Sequence, residues 1–94
     1  MKYTLPPEAA DYADKRLKKL SRKLPISGAI IRLGVTKPIR VTNGNKYRLQ
    51  LEVYQDKKRL FQTIDHVPHL FAGIDIVYLK TLLHFRRSKL KSTE

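Results

Sequence analysis

The apolar residues of this chain change their spacing twice, and that double change restricts the folds open to it more than any other feature. They recur every three or four positions from Ala9 to Leu24, every second position through most of 29–66, and every three or four again from Leu70 onward. A period near 3.6 marks a helix with one buried face, and a period of two marks a strand with one buried face. The order is therefore helix, strands, helix. With 94 residues, there is material for one domain around one core and not for a catalytic domain plus an accessory one.

Each element carries its own start and stop. Pro6-Pro7-Glu8 suits a helix entrance, and Glu8, Asp11 and Asp14 suit the positive end of the helix dipole. Ala9, Ala13, Leu17, Leu20 and Leu24 make its apolar stripe, and Pro25 and Gly28 end it. Ala29, Ile31, Leu33 and Val35 alternate with Arg32 and Thr36, predicting a half-buried strand over 29–37. A loop over 38–45 follows, with Asn43 and Gly44 suited to positive φ. Tyr47, Leu49, Leu51 and Val53 form the inner side of a second strand, and Gln55-Asp56-Lys57-Lys58 turns tightly into a third over 59–66. Two sets in that strand compete for the inner side: Phe61, Thr63 and Asp65 against Leu60, Gln62 and Ile64. From Pro68 or His69 a long helix runs to about Lys89; Ile74, Tyr78, Thr81 and Phe85 form its core stripe, widened by Leu70, Phe71 and Val77. The predicted class is α+β, in the order α-β-β-β-α, with a three-stranded antiparallel sheet and both helices on one face.

Charge is the second constraint. The net charge is +12, concentrated in Lys15-Arg16-Leu17-Lys18-Lys19-Leu20-Ser21-Arg22-Lys23 and in His84-Phe85-Arg86-Arg87-Ser88-Lys89-Leu90-Lys91. Like charges crowded on one surface add nothing to folding, whereas a polyanion releases counterions on meeting them. Between Lys15 and Asp56 the only acidic residue is Glu52, so the repulsion reads as uncompensated. Lys15, Arg16, Lys19, Arg22 and Lys23, with Lys80, His84, Arg86, Arg87 and Lys89, are the candidate RNA-binding residues. The absence of cysteine excludes disulfides and thiolate zinc sites. No apolar run resembles a signal peptide or is long enough to span a membrane, and a cytoplasmic location is the expectation.

Three stretches also resemble a known family. The run from Leu5 to Leu20 is similar to the first helix of the ribosome hibernation promoting factors, a group that includes the ribosome-associated translation inhibitor and sigma-factor-modulation-like proteins. His69-Leu70-Phe71-Ala72-Gly73-Ile74-Asp75, with Lys80 and then Arg86-Arg87-Ser88-Lys89, looks like the opening and basic continuation of that family's last helix. Lys46-Tyr47-Arg48-Leu49-Gln50-Leu51-Glu52-Val53 is similar to its central strand. The family's strand before the first helix has no counterpart here, which makes this a short form whose order of elements resembles a double-stranded-RNA-binding domain. His69 replaces the family's aspartate, and Leu83 stands where the family often has a cation. The resemblance implies a protein that binds rRNA of the small ribosomal subunit near the decoding region and inhibits translation under stress, without catalysis or cofactor. Arg16, Lys80, Arg86, Arg87 and Lys89 occupy the matching basic positions. Two other readings stay open: a free-standing double-stranded-RNA binder, and a protein-interaction adaptor.

Other polar groups point away from chemistry. His66, His69 and His84 are spread over a turn and a distant helical position, so three converging metal ligands are not expected. Asp65 is placed to cap the last helix, Asp75 lies in that helix's first turns, and Glu52 faces the polar side of its strand; no paired acid and base is foreseen. Tyr12, Tyr47, Tyr54 and Phe61 are read as core or edge packing rather than base-stacking platforms. Ile76, Leu79 and Leu83 form a second apolar stripe, opposite Tyr78 and Phe85. It suits a protein interface, either a homodimer through the last helix or packing beneath the N-terminal segment.

Overall fold

The structure, a computed structural model, describes residues 4–38, 40 and 43–92, except for the side chains from position 87 onward. Its elements are α1 (Pro7–Lys23), β1 (Ile30–Thr36), β2 (Tyr47–Gln55), β3 (Lys58–Val67) and α2 (Leu70–Ser92). The strands form one antiparallel sheet in the order β1-β2-β3. The α-β-β-β-α order and the single open sheet are as the spacing predicts.

Local chemistry explains the boundaries. Pro7 occupies the first turn of α1, where its missing N–H costs nothing. The helix stops at Leu24, which is extended because Pro25 follows, and whose N–H still reaches the Leu20 carbonyl at 3.0 Å. Asp56 and Lys57 both adopt positive φ, 52° and 66°, between the cross-strand pair Gln55 and Lys58. This is the geometry of a two-residue hairpin turn whose twist matches that of the strands.

The central strand supplies the floor of the core: Leu49, Leu51 and Val53 are fully buried. Above them lie Ala9, Ala13 and Leu20 of α1 and Ile74, Val77, Tyr78 and Phe85 of α2. The register settles the facing of β3. Phe61, Thr63 and Asp65 lie directly opposite Val53, Leu51 and Leu49 and so share their inner face, while Leu60 and Ile64 are exposed on the outer one. Two expectations need correction. Phe71 does not widen the core but is 46% exposed, leaning edge-on against Tyr12 with centroids 5.3 Å apart; Leu82 is buried instead. Asp65 does not cap α2: its carboxylate accepts hydrogen bonds from Thr63 and Lys80.

Helix α2 sits unusually close to the sheet at Gly73. A β-carbon there would lie 2.6 Å from Val67 Cγ2 and 3.0 Å from Leu49 Cδ1, well inside contact distance. Glycine disfavours the helix but permits this approach.

Candidate nucleic-acid interface

The contacts between the helices fix their relative direction. Tyr12 meets Phe71 and donates a hydrogen bond to Asp75 Oδ1 at 2.6 Å. One turn on, Arg16 Nε lies 3.1 Å from the same oxygen, and its guanidinium covers the Tyr78 ring at 5.4 Å. At the far end Lys23 and Pro25 share a cleft of about 160 Å³ with Leu82, Phe85 and Arg86. Residue numbers rise together on both sides, so the helices are parallel. The cationic end of α1 therefore lies beside Arg86, in the basic part of α2, which continues to Ser92. The negative end of α1 lies there, and the lysines and arginines around it exceed what that partial charge calls for.

Within α1, Lys15, Lys18 and Arg22 follow one another at spacings of three and four on the side opposite the buried alanines and Leu20, with Lys19 beside them. Lys23 turns toward α2 and Arg86. Lys19, Arg22, Lys23 and Arg86 are exposed and have no ion pair among the described residues. Lys18, absent from the candidate residues above, belongs to this ridge; its spacing from Lys15 and Arg22 was the available signal.

The other candidates are placed differently. Asp11 and Asp14, one turn earlier in α1, pair with Lys15 at 3.3 Å and with Lys18 at 3.1 Å, so repulsion on the helix is partly compensated after all. Those pairs are exposed and weak, and a phosphate can displace them. Arg16 is half-buried between the helices. It donates to the Tyr12 hydroxyl at 3.0 and 3.3 Å, and that bond together with Asp75 raises its pKa above the ordinary arginine value, against the opposing effect of burial. Its geometry makes it a clasp between α1 and α2. Lys80 and His84 lie on the opposite flank of α2, over β3, where Lys80 pairs with Asp65 and His84 stacks on Phe61 at 4.4 Å. Arg87 and Lys89 lie outside the described side chains.

Between the two flanks, Ile76, Leu79 and Leu83 are exposed along the crest of α2. The outer sheet face, away from both helices, carries a separate polar lattice. Tyr54 donates to Glu52 at 2.6 Å, and Arg59 donates to Gln62 at 2.5 Å. No cluster of three or more potential metal ligands occurs among the described residues. No described helix is long and apolar enough to cross a membrane.

No protein-family model, curated protein or solved structure matches this chain.

Proposed function

We propose that this protein binds structured RNA through the joined basic ends of α1 and α2, with the rRNA of the small ribosomal subunit as its target in the cytoplasm. It inhibits translation by occupying that RNA and catalyses no reaction. The observation that carries the reading is the parallel packing of the helices: two cationic stretches about sixty residues apart in sequence meet at Lys23 and Arg86. A ridge of this kind suits the sugar-phosphate backbone, which is read by charge and shape rather than by base identity. The ribosomal target rests on the likeness of the Leu5–Leu20 and His69–Lys89 stretches to the hibernation factors.

Sucrose-gradient fractionation of resting cells tests the target. The protein should travel with small subunits or whole ribosomes at low salt, and recovery at the top of the gradient overturns the assignment. Binding to purified small subunits should weaken with salt along a logarithmic slope of roughly −3 to −4, as four phosphate contacts require. Replacing Lys19, Arg22 and Arg86 together by Glu should abolish binding and leave the circular dichroism unchanged, since all three side chains are exposed. Equal affinity for free duplex RNA and for the subunit would favour the free-standing double-stranded-RNA binder, whose order of elements is the same.

A further inference from the structure

The two edges of the sheet are protected very differently. At the β3 edge stand Lys58, Arg59, Asp65 and His66, and α2 leans over the strand through Lys80 on Asp65 and His84 on Phe61. Charges and a covering helix are the usual means of keeping an edge from pairing with another chain. Among the described residues β1 pairs only with β2, which leaves its other side as an open edge. Its seven residues, Ile30-Ile31-Arg32-Leu33-Gly34-Val35-Thr36, contain one charge, no proline and no break in register with β2. Ile30 is 57% exposed, and Ile31 and Leu33 are only half-buried.

The strand is also complementary to itself. In an antiparallel pair centred on Leu33, each Ile31 faces the second copy's Val35 and the two Leu33 side chains face each other, all on the inner side. On the outer side Arg32 faces Gly34 and Ile30 faces Thr36. No like charges stand directly opposite and every residue of the strand has a partner; the two Arg32 side chains are diagonal neighbours on the outer face, where each guanidinium lies 5.3 Å over the Tyr54 ring of its own chain. From this we infer that the free edge of β1 is a pairing surface for a second copy of this chain, joining two three-stranded sheets into one of six across a twofold axis at Leu33. Directly opposed residues share a face, so both helix layers lie on the same side of the joined sheet.

Each copy carries +12, so their mutual repulsion opposes association at low salt and screening favours it. Salt therefore acts on pairing in the direction opposite to its action on RNA binding. Gly34 provides the decisive substitutions: a β-carbon there meets nothing within 4 Å, and its φ lies outside the left-handed region. Gly34→Arg sets two like charges against Arg32 of the other copy, whereas Gly34→Glu sets two opposite ones.

Sedimentation equilibrium at about 0.5 M salt should show a dimer for the wild-type chain, a monomer for Gly34→Arg, and association tightened on the order of fivefold for Gly34→Glu. A wild-type chain that stays monomeric at every salt concentration overturns the inference. So does a dimer that both Gly34 variants shift alike, or one that Leu79→Glu dissolves while the Gly34 variants leave it intact; the last result would place the contact on the crest of α2. Gly34 lies on the sheet face opposite the helices, so monomeric Gly34→Arg should bind small subunits as the wild-type monomer does, and the two proposals fail separately.

Discussion

Among single residues, the clearest electrostatic arrangement is not in the basic ridge but on the outer sheet face. The hydrogen bond donated by Tyr54 holds the Glu52 carboxyl below the ordinary carboxylate range; Arg59 adds to the effect, and partial desolvation opposes it. The same bond pushes the Tyr54 hydroxyl above its usual value. Because the folded pKa of Glu52 is depressed, its contribution to stability is present above the unfolded value of about 4.3. That contribution is lost as pH falls through the lower folded value. Carbon-detected NMR titration should find Glu52 titrating below a reference glutamate, and Tyr54→Phe should move it back up; an unchanged Glu52 titration would show that the hydrogen bond is not the cause. Tyr12 stands at an equally specific point, donating a hydrogen bond to Asp75 while accepting one from Arg16. Tyr12→Phe should cost about 1.5–3 kcal/mol in chemical denaturation, the usual value of a hydrogen bond to a charged group.

At the level of elements, α2 departs most from an ordinary surface helix. It is apolar on two sides, with Ile74, Val77, Tyr78 and Phe85 in the core and Ile76, Leu79 and Leu83 in solvent. Gly73 is its point of closest approach to the sheet. Gly73→Ala gains about 1 kcal/mol of helix propensity but drives a methyl group into Val67 and Leu49. Overpacking of this kind typically costs about 1–3 kcal/mol, so the variant should be less stable than the wild type by urea denaturation, despite the better helix former. A more stable variant would mean that α2 can lift without penalty. The inner face of β3 shows where sequence reading stops. Phe61, Thr63 and Asp65 are no more apolar as a set than Leu60, Gln62 and Ile64, and only pairing with Leu49, Leu51 and Val53 decides between them.

For the whole molecule, the arrangement that matters is the direction of α1 relative to α2. Parallel packing sets the C-terminal end of α1, whose negative dipole end Arg22 and Lys23 offset, beside Arg86 in the basic part of α2. Those cations then stand together, with more positive charge than the helix end requires. Loosening the clasp should be felt at the ridge. Tyr12→Phe, besides its cost in stability, should weaken RNA binding a few-fold although Tyr12 is no part of the ridge. A Tyr12→Phe variant that binds small subunits as tightly as the wild type would show that the clasp does not position the ridge.

By itself, the sequence determined the number, order and type of elements and the inner residues of β1, β2 and α1. Those properties depend on local spacing and on proline and glycine at the boundaries, which physics reads within a few residues of chain. It also determined that positive charge accumulates toward the ends of two helices. Only the tertiary structure decided which cations stand together. Arg16, Lys80 and His84 look like surface residues by spacing, yet their partners Tyr12 and Asp75, Asp65 and Phe61 come from other turns or other elements. A side chain's freedom to meet a phosphate depends on what the fold places beside it, and no local pattern carries that information.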